Sequence, residues 1–362
     1  MQDFKEDIFE IEEEVEQEDE ESVAFDFDIA TYPSDLTLQI YHQMWVDKEI
    51  IIPEFQRGFV WTIKQASLLI DSFLSGLPVP PVFLYIDESN KYVVIDGQQR
   101  ILTIVQFFDG FFGQESPTGK RKVFRLVGIG EGRQYNNKSF QEMDESLQRK
   151  LKQTVLRAIN VRQLSPIGES TCVYHIFERL NTGGTPLKPQ EIRNCVFRGS
   201  FNNQLRELNN NFDWRTIIGS KVPDKNQKDI ELILRIFALT GSVNEYEKPM
   251  KEFLNKAMKK NQLGETKKTK FFFNTFPLVT STLVKTLGEK PFHLKRRLNV
   301  SALDAVMVVL LENFDHINPA TLRKNYFALI ESEDFIESIT KNPTDSKTVI
   351  ARVEIVKLFL IG

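Results

Sequence analysis

With 362 residues, the chain is long enough for two or three domains with ample cores. Two cysteines, Cys172 and Cys195, without metal-ligand spacing exclude a disulfide-stapled or zinc-held fold and predict reduced, buried, cytosolic thiols. The net charge of −4 conceals a division: residues 1–28 carry 14 Asp and Glu against one Lys, a net of −13, whereas the other 334 residues carry +9.

No basic-then-apolar leader opens the chain, and no apolar run reaches the roughly 18 residues of a membrane span, so a soluble protein is expected. Residues 1–30 read as an acidic, disordered tail, because the run Glu10 to Glu16 cannot bury enough surface to fold alone. Such a tail serves solubility, or acts as a tethered polyanion that competes with nucleic acid for a basic groove. Phe4, Ile8, Phe9, Ile11, Phe25 and Phe27, interleaved with the acids, would give it docking anchors.

Apolar spacing predicts a helix over 34–48, capped by Ser34 or Asp35, with Leu36, Ile40, Met44 and Trp45 on one face. A short strand at 50–52 leads through Pro53 into a loop carrying Gln56 and Arg57. A helix over 63–75 follows, its stripe being Ala66, Leu69, Ile70, Phe73 and Leu74, with Gly76 as stop and Asp71 on the exposed side. Prolines 78, 80 and 81 enforce an extended connection into a hairpin of strands 82–86 and 91–95, and a helix over 100–108 follows. A glycine-rich stretch, a strand over 123–127, a polar helix over 143–153 and an alternating strand over 155–164 complete a module assigned to residues 31–165. Residues 166–362 read as a helical domain, with helices at 169–181, 189–198, 202–210, 228–240, 248–260, 271–287, 300–314, 319–330, 333–340 and 346–360. Segment 261–270 is its best interior loop, and many of the 29 Phe are expected at its helix contacts. The expected class is α+β, a sheet module packed on a mainly α-helical C-terminal domain.

The run Val94 to Thr103 is the most informative. It reads as a buried strand that bends at Gly97 and opens a helix. Amides at a helix start attract anions, and a guanidinium in the first turn adds a two-pronged phosphate clamp, so Asp96, Gln98, Gln99 and Arg100 form a candidate phosphate site. The spacing Asp96-x-x-Gln99 fits a capping box as well. Phe177 to Arg193 reads as a helix, a Gly183-Gly184 break and a second helix from Pro189. The glycines and proline are explained as an αα-corner, but Arg179, Asn181, Glu191 and Arg193 are not.

Three ordered motifs, Ile52-Pro53-Glu54-Phe55-Gln56-Arg57-Gly58-Phe59-Val60-Trp61, Gly76-Leu77-Pro78-Val79-Pro80 and Asp96-Gly97-Gln98-Gln99-Arg100, are joined by Phe177-x-x-x-Asn181-x-x-Gly184-x-x-Leu187-x-x-x-Glu191-Ile192-Arg193. Together they resemble the N-terminal domain of GmrSD-type restriction systems, a distant relative of ParB and sulfiredoxin. The resemblance runs from about Thr37 to Arg198. It implies a ParB/sulfiredoxin-like fold, binding of a nucleoside triphosphate with Mg2+, and a place in defence against phage DNA. It also implies that Gln56 and Arg57 face the Asp96–Arg100 turn, and that Arg179, Asn181, Glu191 and Arg193 close the pocket. In that reading Arg57 and Arg100 hold phosphate oxygens, Gln98 or Gln99 orients water, and Asp96 fixes the turn or holds a divalent ion.

Other chemistries are poorly served. Gly128-x-Gly130-x-x-Arg133 is followed by no apolar-faced helix, His42 and His175 sit in apolar helical patterns, and no Ser-His-Asp order occurs. Asp315-His316-Ile317-Asn318-Pro319 resembles the core of the HNH nuclease that often accompanies this family. No second histidine follows it, and Asn318-Pro319 reads as a helix start. The expected protein is therefore an NTP-hydrolysing defence component that acts on or senses DNA, with a nuclease supplied in trans and self-association left open. The rival readings are a DNA-nicking endonuclease and a non-catalytic, nucleotide-gated DNA-binding switch.

Overall fold

The computed structural model describes residues 28–52, 59–113, 121–130, 132–165, 171–180 and 188–362. They fall into two compact units: one holds the sheet and the helix at 172–180, the other the helices from 188 onward together with Thr171.

The first unit is α+β. Its elements are β1 (Asp28–Thr37), α1 (Leu38–Val46), β2 (Ile50–Ile51), α2 (Ile63–Ser75), β3 (Val82–Ile86), β4 (Tyr92–Asp96), α3 (Gln98–Asp109), β5 (Phe111–Phe112), β6 (Lys122–Val123), α4 (Glu145–Gln153), β7 (Val155–Ser165) and α5 (Cys172–Leu180). Five strands form a mixed sheet in the order β1-β7-β3-β4-β2, and β5 pairs with β6 apart from it. β1 lies antiparallel to β7 and β4 to β3, whereas β3–β7 and β2–β4 are parallel. Leu38, Tyr41, Ala66, Ile70, Phe73, Val82, Leu84, Val94, Ile101, Ile104 and Phe107 meet in one core between the sheet and α1, α2 and α3.

Three local expectations fail here for non-local reasons. Residues 34–37 do not begin a helix but finish β1, because antiparallel pairing with β7 sets Asp35 opposite Arg157 and Leu36 opposite Leu156. Arg157 donates to both Asp35 oxygens, Asn160 donates to Ser34, and the helix cap passes to Thr37. Asp71 is not on the exposed side: its carboxylate accepts from the Tyr135 hydroxyl at 2.7 Å and lies 3.4 Å from the Arg133 guanidinium. The strand expected over 123–127 shrinks to Lys122–Val123, since Phe124 and Leu126 leave the ladder to bury themselves in the core.

The second unit is all helix: α6 (Pro189–Val196), α7 (Ser200–Asn209), α8 (Phe212–Ile218), α9 (Lys228–Leu239), α10 (Met250–Lys260), α11 (Lys267–Leu287), α12 (Val300–Glu312), α13 (Pro319–Glu331), α14 (Glu333–Thr340) and α15 (Ser346–Leu360). Every residue from Val300 to Leu311 is buried, as expected of a helix apolar all round, so α12 is the hub. Phe201, Phe237, Phe272 and Phe276 stack in tilted and edge-on pairs across α7, α9 and α11. α8 was unpredicted; Asn211 caps it by accepting from the Trp214 amide. α11 starts inside the stretch expected to be a loop, because Thr266 caps it by accepting from the Thr269 amide.

Candidate functional site

The β4–α3 turn is built by one glycine. Gly97 sits at φ +97°, in the left-handed region, and a Cβ there would lie 2.4 Å from Val82 Cγ1 and 2.8 Å from Val82 Cβ. Only glycine meets both conditions. Gly97 is also the N-cap of α3, and no side chain caps the helix, so the Asp96–Gln99 capping box does not form. Asp96 ends β4 and pairs in register with Phe83, which holds its carboxylate outside the helix start.

That carboxylate serves Arg100. The Arg100 Nη2 donates to Asp96 Oδ2 at 2.6 Å and to the Pro81 carbonyl at 3.1 Å. The Arg100 side chain is 16% exposed and that of Asp96 37%, so the pair sits at the boundary of core and solvent. Arg100 Nε is buried with no hydrogen-bond partner. The guanidinium also acts electrostatically on Tyr41, whose hydroxyl is buried and donates to the Leu156 carbonyl. Burial pushes the Tyr41 phenol far above its ordinary range, and the Arg100 charge only partly opposes this. A cation held by a carboxylate at a strand end and by a backbone carbonyl, with donor capacity left over, is equipped to receive an anion.

Gln99 reaches a distant segment of the chain. Its Oε1 accepts from the Val60 amide at 3.0 Å and the Trp61 amide at 3.3 Å, so the side-chain carbonyl holds that segment at the turn. Thr103 returns its hydroxyl to the Gln99 carbonyl at 2.7 Å and stiffens the first turn. Gln98 is half-buried at the first helical position. Gln56 and Arg57, and likewise Asn181, lie outside the described residues. Arg179 is exposed on α5, which lies against β4.

Glu191 and Arg193 carry structural duties in the helical unit. Glu191 accepts from the Lys188 amide at 2.7 Å in a capping box. Arg193, 1% exposed, donates to Asn255 at 2.9 Å, Gln190 at 3.1 Å and Glu231 at 2.7 Å. These bonds explain both residues without a ligand. Among the described residues no three His, Cys, Asp or Glu side chains converge as a metal site. Asp96 alone, with one oxygen drawn to a guanidinium, is a thin donor set, so a divalent ion here would depend on phosphate oxygens and water for its other ligands.

The first unit is thus a mixed-sheet α+β module whose strand–glycine–helix turn presents an arginine held in an ion pair. Residues 39–198 match the family described as GmrSD restriction endonuclease, N-terminal domain, and this part of the chain is a member of that family. Membership implies a role in a restriction system, whose target is DNA. The match crosses from the sheet unit into α6 of the helical unit. No curated protein matches the chain. Among the described residues no helix is long and apolar enough to cross a membrane.

Proposed function

We propose that the family module binds a nucleoside triphosphate at the β4–α3 turn and hydrolyses it in the service of DNA restriction. The observation that carries this reading is the Arg100 arrangement: a guanidinium fixed by Asp96 and Pro81 in the first turn of a helix opened by a left-handed glycine. Fixed cations and helix-start amides suit phosphoryl transfer, which asks for positioning and charge neutralisation more than for covalent chemistry. The Gln99 tether adds support, since it fixes the Val60–Trp61 segment at the same turn. Gln98 or Gln99 would orient the attacking water. Mg2+ would arrive with the nucleotide and neutralise phosphate charge.

The test uses the full chain with each of the common nucleoside triphosphates and Mg2+. Arg100→Ala removes a charge-assisted contact of about 1.5–3 kcal/mol, so Kd for the preferred nucleotide should rise roughly 10- to 100-fold. Gln98→Ala should slow phosphate release while sparing Kd, and Gln99→Ala should weaken binding by freeing the Val60 segment. Binding without turnover would favour the gated switch. Unchanged binding and hydrolysis in Arg100→Ala would overturn the site.

A further inference from the structure

One corner of the helical unit is strongly basic in sequence. Residues 251–270 hold seven lysines against Glu252 and Glu265. Glu252 is turned inward, accepting from Thr171 and Asn255, and Lys268 is turned inward onto the Ala238 carbonyl and the Phe237 ring. Lys256 and Lys260, one turn apart on α10, and Lys267 and Lys270, on the first turn of α11, are all exposed. None of these four forms an ion pair among the described residues. Lys268, at the start of α11, feels the charges of Glu245, Lys260 and Glu312.

Helix stability does not account for this. Lysines in the last turn of α10 complement its dipole, but Lys267, Lys268 and Lys270 crowd the first turn of α11, where cations are disfavoured and no acid is present. The side of α11 that carries Lys267 and Lys270 continues through Phe271, Asn274 and Leu278, all exposed. Lys267 and Lys270 stand against the local preference of their helix, and all four lysines lack carboxylate partners among the described residues, which fits an external polyanion.

We propose that the α10–α11 corner, through Lys256, Lys260, Lys267 and Lys270, is the surface on which the protein holds the phosphate backbone of duplex DNA. This deepens the DNA-directed role proposed above and needs no nucleotide turnover. Lysines supply point charges without base readout, so the contact is sequence-independent and releases counterions on binding.

The test measures binding of the full-length protein, without nucleotide, to a short fluorescent duplex of mixed sequence between about 0.05 and 0.3 M salt. Four phosphate contacts contribute about 3–4 to the slope of log K against log salt. The quadruple variant Lys256→Gln, Lys260→Gln, Lys267→Gln and Lys270→Gln should lose about that much slope and bind at least about tenfold more weakly at low salt. The control carries Lys285→Gln, Lys295→Gln, Arg296→Gln and Lys324→Gln, four exposed cations around the other end of α11, about 30 Å along the helix. It removes the same charge and should keep most of the slope. Equal losses in the two variants, an unchanged slope in the first, or no duplex binding by the parent chain would each overturn the proposal. Phosphate release measured on the same variants without DNA should match the parent, so a failure here is distinguishable from failure of the nucleotide site.

Discussion

Gly97→Ala puts the geometry of the turn to a direct test. The added Cβ meets two separate obstacles. A left-handed backbone costs an L-residue about 1–2 kcal/mol. Overlap with a packed side chain costs about 1–3 kcal/mol more, and here the nearest atom, Val82 Cγ1, is 2.4 Å away on a fully buried residue of β3. The sum is about 2–5 kcal/mol. At about 2–4 °C per kcal/mol for a unit of this size, the melting transition of the sheet unit should fall by roughly 5–20 °C in calorimetry of the full chain. A second substitution separates the two terms. Val82→Ala removes Cγ1 but leaves Cβ at 2.8 Å, so it should relieve part of the overlap and none of the backbone strain. The double-mutant cycle should therefore show a favourable coupling of about 1 kcal/mol or more between positions 82 and 97. Additivity within about 0.5 kcal/mol, or a Gly97→Ala melting point equal to that of the parent, would refute the claim that β3 dictates glycine here.

Other consequences are open to measurement. Arg193→Ala strips the donor from Asn255, Gln190 and Glu231, and breaking such a buried pair costs about 3–5 kcal/mol; with Glu231 a quarter exposed, the lower end is expected in urea unfolding. A variant that keeps its stability yet loses nucleotide affinity would return Arg193 to the ligand. Burial, reinforced by Glu191, pushes the Cys195 thiol up to about 12, so iodoacetamide at pH 8 should label it only after unfolding, as read by peptide mass spectrometry. The same shift has a pH consequence. The unfolded thiol titrates near 9, so the contribution of Cys195 to stability is complete below that and falls by about 1.4 kcal/mol per pH unit from 9 towards 12. Deleting residues 1–28 removes a net charge of −13 and should strengthen duplex binding at low salt, with the gain fading by about 0.3 M; equal affinities throughout would leave the tail a solubility feature or a handle for another protein.

Features decided within a few residues could be read from the chain alone. Gly76 stops α2 in a left-handed conformation, Pro189 takes the first helical position of α6, and Asn318-Pro319 starts α13 through a side-chain cap. The acidic tail and the basic remainder are likewise matters of composition. The ordered motifs led to the family, because spacing along the chain survives without coordinates. Tertiary structure decided whatever depends on a distant partner. Residues 34–37 satisfy a helical pattern, yet they become strand because β7, some 120 residues later, offers a full ladder of backbone bonds and an Arg157 for Asp35. Asp71 is claimed by Tyr135 and Gln99 by Val60, neither of which is a sequence neighbour. The turn at 96–100 was locally ambiguous between a capping box and a glycine-opened helix. Val82 resolved it, since a residue whose side chain would collide with a neighbouring strand must be glycine, and that glycine then displaces Asp96 from the cap and frees it to hold Arg100.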